Sequence, residues 1–314
     1  KTIFTNIMTP SKQYEIFGHE NILNELINLY DNDKLPNKIL LSGKKSIGKS
    51  TLAFHFINYI FSQKEEYKYN VSKYTIHPNN KSNILVNNNT HPSLFRVFLK
   101  DDRKSIEISE IRNLINFTNL SNLTNQKKII LIDDVEYLNV NAINALLKVI
   151  EEPNNSTIFI LINNIEKKIK DTLRSRCIEF KLSINNLSIK KILNNLYPDI
   201  YYDEISHDFI EHSLSLANLI DFINICKNEK LDFKNIIIEN FLKHIFENNL
   251  YKKKEYQNID FKIFIETFFR KKINNINNEK IFNLYSYFNL KFEKSKKFNL
   301  DMESFFLEFN SKLL

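Results

Sequence analysis

At 314 residues, 43% hydrophobic and 26% charged, the chain has the composition of a globular protein of two or three domains. It holds no run of about eighteen apolar residues, so no membrane span is expected. Its two cysteines, Cys177 and Cys226, lie far apart and lack metal-ligand spacing, so neither a disulfide framework nor a four-cysteine zinc site is supported. The net charge of +7 leans mildly towards an acidic partner such as nucleic acid, although lysine-rich composition explains much of it. The seven histidines are scattered without metal-ligand spacing. The polar, mixed start of the sequence has no signal-peptide pattern, which points to the cytoplasm.

Residues 1–37 read as a lead-in segment. Gly18 precedes a helical stripe of Ile22, Leu23, Leu26, Ile27 and Tyr30. A short apolar run, Ile39-Leu40-Leu41, then meets Gly43-Lys44-Lys45-Ser46-Ile47-Gly48-Lys49-Ser50, and a helix begins at Thr51. This is G-x-x-x-x-G-K-S between a strand and a helix, the pattern of a phosphate-binding loop. Its backbone N–H groups and helix N-terminus suit phosphate oxygens. Lys49 is placed to reach the β/γ-phosphates and Ser50 to bind Mg²⁺, with Gly43, Ser46, Gly48 and Thr51 completing the loop. The chain has only three glycines, against roughly twenty expected at this length. Two of the three are the pair this loop requires.

From Ser62 to Pro92 the sequence is polar and reads as an irregular insertion. Leu94–Leu99 is a strand candidate, and Ser109 reads as the N-cap of a helix carrying Ile111, Leu114 and Ile115. Lys127-Lys128-Ile129-Ile130-Leu131-Ile132-Asp133-Asp134 is an apolar strand ending in two carboxylates, a Walker B pattern that delivers Asp133 to Mg²⁺. A helix is expected over 139–151, stopped by Pro153. A strand over 157–162 ends in Asn163-Asn164. Arg174-Ser175-Arg176-Cys177 leads into a last strand, 178–182. The chain has six arginines among 44 basic residues, and two of them fall in this turn. A lysine cannot reproduce the planar fork of a guanidinium on phosphate; an exposed basic turn is the alternative.

Beyond Ser183 no strand is expected. Residues 186–228 read as three short helices and 232–314 as a helical bundle, whose stripes Phe261, Ile265, Phe268, Phe269 and Phe282, Tyr285, Phe288 read as core. Lys252-Lys253-Lys254 and Arg270-Lys271-Lys272 read as solvated faces, with DNA contact the alternative.

Taken together, the phosphate loop, the Walker B strand, the run Asn139-Val140-Asn141-Ala142-Ile143-Asn144-Ala145-Leu146-Leu147-Lys148-Val149-Ile150-Glu151-Glu152-Pro153 and Ser175-Arg176-Cys177 resemble the AAA+ clamp-loader family of bacterial DNA polymerase III. The likeness covers about residues 1–182. It implies an α/β P-loop AAA+ domain with a parallel sheet over 1–183. A small helical lid over 184–229 and an all-α C-terminal collar over 230–314 would follow. It further implies ATP or ADP with Mg²⁺ held by Lys49, Ser50 and Asp133, with Gly18 near the adenine. A sensor-1 asparagine at Asn163 or Asn164 and an arginine finger at Arg176 complete the implied site.

Several features resemble the delta-prime branch more than the gamma/tau ATPases. Asp134 stands where the hydrolysing subunit has Glu, and Ile220 where a sensor-2 arginine is usual. A long tau-like extension beyond the collar is not expected. The partners implied are gamma/tau, delta, the sliding clamp and primed DNA. The family's four-cysteine zinc module has no counterpart in 62–92, so no zinc is expected. A gamma/tau-like motor subunit is the second reading and a stand-alone DNA-dependent ATPase the third.

Overall fold

The computed structural model describes residues 10–100, 103–120, 127–151, 156–211, 215–256, 259–275, 279–298 and 302–313. Pro153 and Glu152 lie outside this set. The chain divides into two compact units, Lys1–Ile189 and Lys190–Leu314.

In the first unit α1 (Glu20–Asp31) leads to β1 (Lys38–Gly43), α2 (Lys49–Ser62), α3 (Lys81–Asn87), β2 (Leu94–Val97) and α4 (Ile108–Asn119). There follow β3 (Lys128–Ile132), α5 (Val140–Glu151), β4 (Thr157–Asn164), the single turn α6 (Asp171–Arg174) and β5 (Ile178–Lys181). The five strands form one parallel sheet in the order β2-β3-β4-β1-β5. Buried on both faces, β1, β3 and β4 are near-continuous apolar runs rather than alternating ones. Leu41, Leu131, Ile160 and Ile162 meet Leu23, Leu26, Leu52 and Phe56 of α1 and α2 on one side. Leu40, Ile130, Ile132 and Phe159 meet Ile111, Leu114, Leu146 and Ile150 of α4 and α5 on the other. The phosphate-loop strand β1 therefore lies inside the sheet, between β4 and β5.

Glycine scarcity shows in how the chain turns. Seven non-glycine residues adopt positive φ among the described residues, including Ser46, Asp134, Lys230 and Asn249. Helix ends are closed by lysine amines as well. Lys128 Nζ donates to the carbonyls of Phe117, Thr118 and Leu120 at the end of α4, and Lys38 Nζ to Ile150 O of α5 at 3.1 Å. Both place a cation at the negative end of a helix dipole.

Local expectations need three corrections. Residues 62–92 are not wholly irregular: they contain α3, capped by Asn80, whose Oδ1 accepts from Asn83 N at 2.6 Å and from Asn58 Nδ2 at 2.8 Å. Ser109 is not an N-cap, because α4 starts one residue earlier, behind Glu107. Phe282 is 60% exposed rather than core, whereas Phe261, Ile265, Phe268, Phe269 and Phe288 are buried.

Helices α7 (Asn186–Leu196), α8 (His207–Glu211) and α9 (Leu216–Asn228) follow the sheet. The bundle is α10 (Ile238–Glu247), α11 (Lys262–Asn275), α12 (Glu279–Phe298) and α13 (Met302–Leu313). In the second unit Phe209 stacks on Phe222 at 3.8 Å, and Phe241 and Phe264 extend the same aromatic core into α10 and α11. The basic clusters are ion-paired within the chain: Lys252 to Glu303, Lys253 to Glu229, and Lys271 to both Asp208 and Glu239.

Candidate functional site

The loop between β1 and α2 is closed by steric necessity. Gly48 has φ +88°, a conformation that glycine adopts without penalty. A Cβ on Gly43 would lie 2.6 Å from Ile47 Cδ1 and 2.7 Å from Leu182 O. Lys49 is buried, and its Nζ donates to Gly43 O at 3.0 Å and Lys44 O at 2.5 Å. Burial lowers its pKa, and the nearby carboxylates of Asp133, Glu136, Asp134 and Glu166 oppose that shift. Ser50 Oγ donates to Asp133 Oδ2 at 2.6 Å, so the first turn of α2 and the end of β3 converge at one point. Ser46, exposed at the loop tip, has φ +59°. Thr51 faces away from this point, donating to Gln13 Oε1 at 2.9 Å.

Asp134 sits in a left-handed turn with φ +58°. Burial, with Asp133 and Glu136 beside it, pushes its pKa up to about 6. Glu136 was not among the candidates read from the sequence. It lies on the short turn after Asp134, accepts from Asn164 N at 3.2 Å, and has a pKa raised by burial. The signal available for it was a third acidic residue two positions beyond Asp133-Asp134.

Asn163 pairs with Ser42 in the sheet register and Asn164 with Gly43. Strand alternation puts Asn164 on the face of Ile162, Asp133 and α2, and Asn163 on the opposite face. Asn163 is buried and its Oδ1 has no hydrogen-bond partner among the described residues. Asn164 Nδ2 donates to Glu166 Oε2 at 3.3 Å.

Gly18 has φ +81°, and a Cβ there would lie 2.8 Å from Ser188 Cβ. The next residue touches the phosphate loop: buried His19 donates from Nε2 to Ile47 O at 2.5 Å, and burial lowers its pKa. Arg176 is half-buried beyond α6 and pairs with Glu151 at 2.7 Å. Ile220 lies on α9. Among the described residues no group of three or more His, Cys, Asp or Glu side chains is placed to hold a metal by itself, and no helix is long and apolar enough to cross a membrane.

A strand, a phosphate loop closed on a buried lysine, and a serine–aspartate pair at the sheet's carboxyl end are therefore in place. The family described as "DNA polymerase III, delta subunit" matches residues 18–186, more than half of the chain. The chain belongs to that family. Its resemblance to the clamp-loader family, carried by the phosphate loop and the Ser-Arg-Cys turn, is thereby shown. DNA polymerase III subunit delta' of Buchnera aphidicola subsp. Baizongia pistaciae is 32% identical over 230 residues, 67% of this chain and 63% of that one. The delta' subunit of Pseudomonas aeruginosa is 31% identical over 140 residues, 45% of this chain and 41% of that one. DNA polymerase III subunit gamma of Buchnera aphidicola subsp. Schizaphis graminum is 28% identical over 242 residues, 77% and 61% of the two chains. The chain thus spans about two fifths to three fifths of the length of these curated relatives. A gamma-subunit-related structure from Thermotoga maritima covers 82% of this chain and 78% of its own at 14% identity and a TM-score of 0.40, too loose a likeness to bear on function.

Proposed function

We propose that this chain is a delta-prime-like subunit of a DNA polymerase III clamp loader, assembling with gamma/tau and delta to load a sliding clamp onto primed DNA. Its own ATPase is weak or absent, and it donates Arg176 to a neighbouring subunit's nucleotide. The observation that carries this reading is the pairing of a complete phosphate loop with a short acidic residue, Asp134, at the position that would polarise water. An Asp is one methylene shorter than Glu, and at Asp134 the carboxylate is held on a left-handed turn.

ATP or ADP fits the loop. On binding, phosphate oxygens would replace the carbonyls of Gly43 and Lys44 on Lys49 Nζ. Ser50 and Asp133 offer the oxygen ligands that suit Mg²⁺, which takes one or two protein ligands and completes its shell with phosphate and water. Asn164, on the face of Asp133, is the better sensor-1 candidate than Asn163. The AAA+ domain, lid and collar boundaries at 183 and 229 belong to the same proposal, as does a cytoplasmic location.

Arg176 suits action in trans because phosphoryl transfer needs charge stabilisation more than covalent chemistry, and a guanidinium supplies it bidentately. The test is the ATPase of the isolated chain with and without primed DNA. The reading expects turnover well below about 1 s⁻¹, the lower range of ordinary enzymes. Faster turnover independent of DNA would favour the gamma/tau-like motor. DNA-stimulated turnover of the chain alone would favour the stand-alone ATPase.

A further inference from the structure

The two guanidiniums of the Arg-Ser-Arg turn are held in different ways. Arg174 Nε and Nη2 donate to Glu179 Oε2 at 3.1 and 2.7 Å. The other oxygen of Glu179 accepts from buried Ser42 on β1, so Arg174 is tied into the sheet. Arg176 reaches instead to the last residue of α5. Its Nε and Nη2 donate to Glu151 Oε1 at 3.1 and 2.7 Å, and its Nη1 donates to Thr172 O at 2.8 Å.

A guanidinium carries five N–H groups. These three bonds use the one on Nε, one on Nη1 and one on Nη2. One N–H remains on each terminal nitrogen, a pair that bidentate recognition of phosphate can use. Both partners stand on short or anchored elements. Ile150, next to Glu151, is fully buried and its carbonyl is held by Lys38. Thr172 belongs to the single turn α6. A carboxylate at a helix C-terminus also runs against the helix dipole, an unfavourable placement that the bonds to Arg176 offset.

We infer that Glu151 is a positioning residue for Arg176: with the Thr172 carbonyl it splints the guanidinium and leaves one N–H on each terminal nitrogen for a neighbouring subunit's phosphate. This rests on the trans reading of Arg176. The ion pair is exposed, with side-chain exposures of 36% and 50%, and such pairs add little to folding stability. Its effect is to remove rotamer freedom from a long side chain before the interface forms.

The test rebuilds the loader with Glu151→Ala, Glu151→Gln, Arg176→Ala or the Glu151→Ala/Arg176→Ala pair. The readings are kcat and KM for ATP at saturating clamp and primed DNA, with the melting temperature of each variant chain. Glu151→Ala is expected to lower kcat by about threefold or more with KM and melting temperature unchanged. Glu151→Gln, which keeps an oxygen acceptor, restores most of that loss, and the double variant is no slower than Arg176→Ala. If Arg176→Ala is slow while Glu151→Ala turns over at or above the wild-type rate, or if the two losses multiply, Glu151 does not position the arginine. If Arg176→Ala itself runs at the wild-type rate, the trans reading fails and the inference with it.

Discussion

The Ser50 hydroxyl donates to Asp133 Oδ2 across 2.6 Å, joining residues 83 positions apart. Because the two lie at the start of α2 and just beyond β3, a cation ligated by both would sit beside the phosphate loop. Lys49 completes the arrangement with an ammonium already seated on loop carbonyls. Lys49→Ala is expected to weaken a fluorescent ATP analogue by about 10- to 100-fold, the worth of a charge-assisted hydrogen bond. Unchanged binding in a titration, or no binding by the wild type at millimolar nucleotide, would leave the loop a fold element only.

Asp134 gives a pH signature. Its pKa rises from 3.8 unfolded to about 6 folded, with burial the largest cause. The folded state therefore binds more protons between those values, and a destabilising contribution grows as pH rises from about 4 and is complete above about 6. In the nucleotide-free chain Asp134→Asn should gain stability relative to wild type across that window, and the gain should hold constant at higher pH. Thermal melts at pH 4.5, 6 and 7.5 measure it; a gain that shrinks with rising pH contradicts the assignment.

Much of the site was legible in the sequence because its parts are contiguous. The phosphate loop is eight residues long, and the strand before Asp133 is an uninterrupted apolar run. What escaped depends on distant pieces meeting. His19 touches the phosphate loop through Ile47 O, and a one-residue shift from Gly18 was not visible in letters alone. Glu136 acquires its place from Asn164 on another strand. One cap was misjudged: Ser109 is a good N-cap by type, yet α4 begins behind Glu107 without a side-chain cap. Phe282 fits a helical stripe by spacing, but the stripe rotates out of the core at that end of α12.

Lys128 illustrates a cap that periodicity does not announce. Its amine, on a residue 4% exposed, closes three carbonyls at the end of α4. Lys128→Met keeps the apolar stem and removes the donor, leaving the buried Thr118 carbonyl and the part-buried carbonyls of Phe117 and Leu120 without it. A loss of about 1–3 kcal/mol is expected in denaturant unfolding; a neutral result would mean that water replaces the amine.

Lys230 occupies a left-handed position after α9, at φ +55°, and the next residue closes the turn with Leu231 N donating to Cys226 O at 2.8 Å. Glycine is the usual residue at such a helix end. The left-handed conformation costs a residue with a Cβ about 1–2 kcal/mol, and the greater freedom of glycine in the unfolded chain takes back about 0.4–1 kcal/mol, so Lys230→Gly should raise stability by about 0.5–1 kcal/mol. A lower unfolding midpoint would show that the Lys230 side chain makes a compensating contact.

The reading of this chain as a donor of Arg176 rather than a motor is tested most directly by one comparison in the rebuilt loader: clamp- and DNA-stimulated ATP turnover with Lys49→Ala beside Arg176→Ala. Lys49→Ala should leave turnover near wild type, because this chain's own nucleotide is not the one hydrolysed. Arg176→Ala should lower it, and Arg176→Lys should restore little, since an ammonium lacks the fork. The loss stays short of the roughly 10³-fold effect of an arginine finger acting alone, because other interfaces keep their own arginines. Turnover lost with Lys49→Ala and kept with Arg176→Ala would contradict the assignment.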